Sequence, residues 1–141
     1  MNKNALILLL LFSFSGYAQD IFGQWTTVDD ETKEKKSIVE IYKRDDKVYG
    51  KIIEIFDASK RDLPCVFCSG EDYNKPVLGL EIIKNIKKDG DYYKKGTIIN
   101  PENGKTYKLR LTLEEDNNNL LQVRGYISFF YQTQYWERVI Q

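Results

Sequence analysis

The sequence contains no histidine, and its 141 residues include only two cysteines, three prolines and one methionine. Without histidine, the Ser-His-Asp and Cys-His constellations of nucleophilic catalysis are unavailable. A tetrahedral zinc site is disfavoured as well, because two cysteines would need two carboxylates or a second chain to complete it. Net charge is also missing, since 21 basic residues balance 21 acidic ones. A surface for nucleic acid needs concentrated basic charge, whereas Lys33-Glu34-Lys35-Lys36 and Lys84 to Asp91 interleave basic with acidic or neutral residues. Gly104-Lys105-Thr106 lacks the glycine-rich loop of a phosphate cradle. Acidic pairs such as Asp29-Asp30 and Glu114-Glu115 lie beside turn residues, as solvated charge does. Nucleic-acid binding, a metal, a cofactor and hydrolytic chemistry are therefore not expected, and the chain reads as a non-enzyme.

Long apolar runs are just as scarce. The one that exists, Ala5 to Phe14, follows the single charge of Lys3 and precedes the small residues Gly16 and Ala18. It is too short to span a bilayer and has the layout of a secretory signal. Residues 1–18 are expected to be a cleaved signal peptide, and residues 19–141 a single exported domain, periplasmic or secreted, without a transmembrane segment. Removing the signal takes away one lysine and leaves one acidic charge in excess.

What the rest of the chain has in abundance is strand pattern. Tyrosine, isoleucine, threonine, phenylalanine and valine gather in short runs separated by turn formers. Eight strands are expected near Gly23–Val28, Ser37–Lys43, Val48–Phe56, Gly79–Lys87, Tyr92–Ile99, Thr106–Glu114, Leu120–Phe129 and Thr133–Ile140. Asp45-Asp46, Asp89-Gly90, Asn100-Pro101-Glu102-Asn103-Gly104 and Asn117 to Asn119 carry hairpin chemistry. Only Asp57 to Leu78, with Pro64, Pro76 and both cysteines, is too long for a hairpin, and it reads as an irregular, lid-like loop.

Periodicity inside the runs selects the architecture. Tyr107, Leu109, Leu111 and Leu113 alternate with Lys108, Arg110, Thr112 and Glu114, and Val39 and Ile41 alternate with Glu40 and Tyr42. Each such strand has one dry and one wet face. Without helices, a sheet of this kind hides its dry face by closing on itself or by forming two layers. An eight-stranded antiparallel up-and-down barrel is the expected fold, wide enough for side chains or one small ligand.

Gly23-Gln24-Trp25 resembles the Gly-x-Trp start of lipocalins and related calycin barrels, in which a tryptophan closes the barrel floor. A longer series resembles an exported bacterial family known as domain of unknown function two-one-four-seven. It comprises Gly23-x-Trp25, Tyr49-Gly50-Lys51-Ile52, Cys65-x-x-Cys68, Gly79-Leu80, Gly96-x-Ile98, Asn100-Pro101-x-Asn103-Gly104-Lys105-Thr106-Tyr107, Val123-Arg124-Gly125-Tyr126 and Thr133-Gln134-x-Trp136-x-Arg138-Val139. The match spans nearly the whole exported part. Where the family pattern continues with another glycine, this chain has Ser128-Phe129-Phe130. The resemblance implies a barrel fold and no established activity.

Four residues are candidates for ligand contact. Trp136 and Arg138 share one face of the last strand, Trp25 is the expected closure residue on the first, and if these strands pair an arginine from the late strands can stack on an indole. Arg124 and Tyr126 have the spacing with which fatty-acid-binding proteins grip a carboxylate, the guanidinium doing so bidentately. Leu121, Val123 and Ile127 occupy the opposite parity and compete with them for the interior, so at most one of the two sets faces inward unless Gly125 introduces a bulge. Cys65 and Cys68 are expected to form a disulfide, as an even cysteine count in an exported chain favours. Their flanks lack the helix or cation that activates a redox thiolate.

The function expected is therefore carriage of a small apolar or amphipathic molecule inside the barrel. The alternatives are an envelope protein-interaction module with a filled core and, third, a minor redox role through Cys65-Cys68. Tyr42, Tyr73, Tyr92, Tyr93, Phe129, Phe130, Tyr131 and Tyr135 are the residues that would supply an interaction face.

Overall fold

The computed structural model describes residues 20–140; the expected signal peptide lies outside them. Eight strands follow one another in chain order: β1 (Gly23–Val28), β2 (Lys35–Arg44), β3 (Lys47–Ile55), β4 (Glu81–Asp89), β5 (Tyr92–Ile99), β6 (Thr106–Glu114), β7 (Asn117–Ile127) and β8 (Phe130–Arg138). Each pairs antiparallel with its neighbours, and β1 pairs with β8, so the sheet is a closed barrel. Among the described residues, no helix is long and apolar enough to cross a membrane.

The turns explain why pairing is sequential. Asp45 and Asp46 both adopt positive φ, 51° and 63°, as a two-residue hairpin turn compatible with strand twist requires. Two connections differ from the sequence expectation by a small slip. The β6–β7 turn is Glu115-Asp116 rather than Asn117 to Asn119, and Asn117 already pairs with Glu114. The Asn117 carboxamide accepts from the Asn119 N–H at 3.0 Å, so its turn-forming side chain works from inside the strand. The β7–β8 turn is Ser128-Phe129, which starts β8 at Phe130, three residues before the expected Thr133. Ser128 takes the positive φ, 52°, that allows so tight a reversal.

The base of the barrel is filled and the opposite end is not. Trp25, Val39, Ile41, Val48, Ile83, Ile86, Leu111 and Leu121 are buried together. Trp25 has no exposed surface, and its indole N–H donates to the Ile21 carbonyl at 2.8 Å. Arg138 lies over the indole, 4.3 Å from the ring centroid. Its guanidinium also donates to three backbone carbonyls, those of Phe22 at 3.0 Å, Asp20 at 2.8 Å and Asn118 at 3.1 Å. These contacts reinforce a short seam in which β1 and β8 pair only through Trp25 with Arg138 and Thr26 with Glu137. At the far end lie the β1–β2 connection, the long loop between β3 and β4, the β5–β6 turn and the β7–β8 tip.

Trp25→Ala removes the floor as well as the stacking surface for Arg138. The variant is expected to lose about 3–5 kcal/mol of unfolding free energy, measured as a fall in the urea midpoint. A loss below about 1 kcal/mol would show that the indole is not a packed floor.

Candidate functional site

Above the packed base, the barrel opens into a cavity of about 940 Å³ that reaches the mouth. Strand alternation decides what lines it. On β7 the inward set is Leu121, Val123 and Gly125, on β6 it includes Tyr107, and on β8 it is Gln132, Gln134 and Trp136. Ile52, Ile82 and Ile98 complete an apolar wall from β3, β4 and β5, while Thr27 and Ser37 face the cavity from β1 and β2. The two hydroxyls of Thr27 and Ser37 share a hydrogen bond of 2.7 Å. Trp136 is 3% exposed, and its indole N–H donates to the Gln134 carboxamide oxygen at 2.8 Å. The Gln134 amide nitrogen in turn donates to Asp30 in the β1–β2 connection.

The mouth is partly roofed by the long loop. Leu63, Pro64, Val66 and Phe67 contribute to the cavity from above. The Cys65–Cys68 disulfide folds this segment back on itself, and the Cys65 N–H donates to Lys75 at 2.7 Å. The loop leans on the β5–β6 turn at Gly104, whose φ is 73° and where a Cβ atom would fall 1.9 Å from the Phe67 carbonyl oxygen. No other residue fits that contact. Asp72, buried in the loop, pairs with Lys84 of β4 and with Lys75. The rim carries charge: Lys36 binds Glu102 at 2.6 Å across the mouth, and Lys60 approaches the same carboxylate at 3.9 Å. Asp29 and Asp57 are held below the usual carboxylate range, mainly by hydrogen bonds from Thr32 and Glu31 N–H to the first and from Ser59 to the second.

Of the four ligand candidates, only Trp136 lines the cavity. Arg138 is committed to the base. Arg124 and Tyr126 stand on the outer wall, which corrects the expectation of a carboxylate anchor inside the barrel. The Arg124 Nε–H donates to the Thr133 hydroxyl at 2.8 Å, and its guanidinium lies 4.5 Å from the Tyr131 ring centroid. Tyr126 packs on the same ring at 5.9 Å. The physical reason is register: Gly125 pairs with Leu109 and Gln132 without a shift, so the bulge that would turn Arg124 inward is absent. Gln132, Gln134, Thr27 and Ser37 were missed because polar side chains on a half-wet strand look like its solvent face.

The tyrosines expected to form one interaction face are dispersed. Tyr42 donates to Glu81, which Arg44 also holds at 3.0 Å. Burial first, and then that hydrogen bond to Glu81, pushes the Tyr42 phenol up to about 12. Tyr93 packs edge-on against Phe22 with centroids 6.5 Å apart, and burial raises its phenol too. Among the described residues, the most exposed aromatic side chains are at the β7–β8 tip, Phe129 being 95% and Phe130 78% exposed.

The family profile described as "Uncharacterized protein conserved in bacteria (DUF2147)" matches residues 23–138. The chain belongs to the DUF2147 family. No curated protein sequence matches it. Among solved structures, it is similar to protein HP1028 from the human pathogen Helicobacter pylori, described as belonging to the lipocalin family. The TM-score is 0.73 and the identity 21%, over 86% of this chain and 84% of that one. At that identity the likeness establishes a lipocalin-like barrel fold and nothing further. Within this DUF2147 barrel, Val123, Gly125, Gln132, Gln134 and Trp136 are the cavity residues that the last two strands contribute.

Two measurements check this geometry. Reduction of Cys65–Cys68 is expected to cost about 2 kcal/mol, the loop-entropy value for so short a crosslink, while the far-ultraviolet spectrum of the strands stays unchanged. Collapse of that spectrum on reduction would refute a purely local role. Because the folded Tyr42 phenol titrates above its unfolded counterpart, its contribution to stability is complete below the ordinary phenol value of 10.0 and is lost as pH rises toward about 12. A spectrophotometric titration is expected to show late phenols from Tyr42 and Tyr93, of which Tyr42→Phe removes the component near pH 12; a high-pH limb unchanged in the variant would contradict the Tyr42–Glu81 bond.

Proposed function

We propose that the protein is an exported, non-enzymatic carrier that holds one small apolar or amphipathic molecule in the barrel. The observation that carries this reading is the cavity itself. A volume of about 940 Å³, entered from one end and walled by Ile52, Ile82, Ile98, Val123 and Trp136, is in the range of small-molecule sites. A binding role rather than a catalytic one fits the position of the charged side chains, which line the rim and leave the inner wall to isoleucine, valine, glutamine and hydroxyl groups. Export fits the disulfide, since such bonds persist outside reducing compartments. The same bridge speaks against a redox role: Cys65 and Cys68 are 1% and 5% exposed, and a thiol-exchange partner must reach sulfur.

One observation favours a second reading, an interaction module in the envelope. Phe129 and Phe130 project from a two-residue turn beside Tyr131, with little of their surface covered. Tip and cavity separate the readings experimentally. The neutral probe N-phenyl-1-naphthylamine is expected to bind one-to-one with enhanced fluorescence. Gln132→Trp, which narrows the mouth, is expected to weaken it roughly tenfold, or about 1.4 kcal/mol. Absence of saturable binding by the wild-type protein would remove the carrier and favour the module.

A further inference from the structure

The cavity's polar groups define the ligand more narrowly. Its inner wall is divided: Thr27, Ser37 and Gln134 face it from β1, β2 and β8, and Ile52, Ile82 and Ile98 from β3, β4 and β5. Of the Thr27–Ser37 hydroxyl pair, one donates to the other, and the hydrogen of the accepting hydroxyl remains available to a guest. The Gln134 oxygen, bound once by the Trp136 N–H, retains a second acceptor site. The divided wall therefore offers both a donor and an acceptor, and each is neutral.

The cations nearby are used elsewhere. Arg124 lies outside on Tyr131, Arg110 lies outside with its guanidinium 4.5 Å from the Tyr92 centroid, and Arg138 is spent on the base. Lysines approach only the rim, where Lys36 and Lys60 are already paired with Glu102. Around that rim the carboxylates of Asp29, Asp30, Glu31, Glu34, Asp57 and Glu102 outnumber the ammonium groups of Lys35, Lys36 and Lys60. An anionic head group would cross a negative rim and give up its water to an interior that offers no countercharge. That is a large penalty for an ion. A hydroxyl, ester or amide loses little, because the wall replaces its hydrogen bonds.

We infer that the cavity takes uncharged amphiphiles, with an aliphatic body and a hydroxyl-, ester- or amide-bearing end, and discriminates against carboxylates such as fatty acids. This inference rests on the carrier reading. It is tested by displacing bound N-phenyl-1-naphthylamine from the purified protein at pH 8 and low salt with monolauroylglycerol or with laurate, both kept monomeric. Monolauroylglycerol is expected to displace the probe at a concentration at least tenfold lower than laurate. Ser37→Ala is expected to weaken monolauroylglycerol several-fold without improving laurate, and Arg124→Met to change neither. Equal or stronger displacement by laurate would overturn the inference and leave the carrier standing, and sensitivity of laurate to Arg124→Met would overturn it through the outer wall. Failure of the probe itself to bind would remove both.

Discussion

The barrel depends on closing a seam that is short. Where β7 and β8 pair along their length, β1 and β8 meet over a few residues, and an open sheet edge would be left exposed if they parted. The arginine side chain of Arg138 compensates by gripping the backbone ahead of β1 and the start of β7 while covering Trp25. A half-buried guanidinium is stable there because carbonyl oxygens and an indole face replace part of its water. Closure at this end in turn determines where a cavity can exist. Large side chains occupy the base, so open volume is confined to the half of the barrel below the loops.

That division gives each end its own chemistry. The base is an ordinary close-packed core, in which Val39, Ile41, Leu111 and Leu121 fill space between the walls. Toward the mouth the inward positions become Thr27, Ser37, Gly125 and the two glutamines, residues that neither fill the lumen nor leave it wholly apolar. The long loop, stitched by its disulfide and seated on Gly104, then covers part of the opening. A container with one sealed and one partly roofed end follows from these residue choices.

Much of this was legible in the sequence because strand periodicity carries it. The alternation of Leu109 and Leu111 with Lys108 and Arg110 gives the inward face of β6 directly, and Asp45-Asp46 gives the turn between β2 and β3. Orientation on β7 was less accessible. Leu121 and Val123 argued for one parity and the Arg124-Gly125-Tyr126 spacing for the other, and only the unbroken register past Gly125 decides between them. The polar wall carried no sequence signal. On β8, Gln132 and Gln134 alternate with Thr133 and Tyr135, so both faces read as wet, and closure alone turns the glutamines inward. The aromatic tip was displaced for a related reason: strand-forming Phe129 reads as strand even where Ser128 makes the reversal.

Occupancy of the lumen is the point on which the functional reading stands. Native mass spectrometry of protein released gently from the cells that make it reports this without a chosen probe. A single discrete mass accompanying the folded chain, lost when Gln132 is replaced by tryptophan, is the expected result. Bare polypeptide under every mild condition, with the barrel intact, would contradict a carrier.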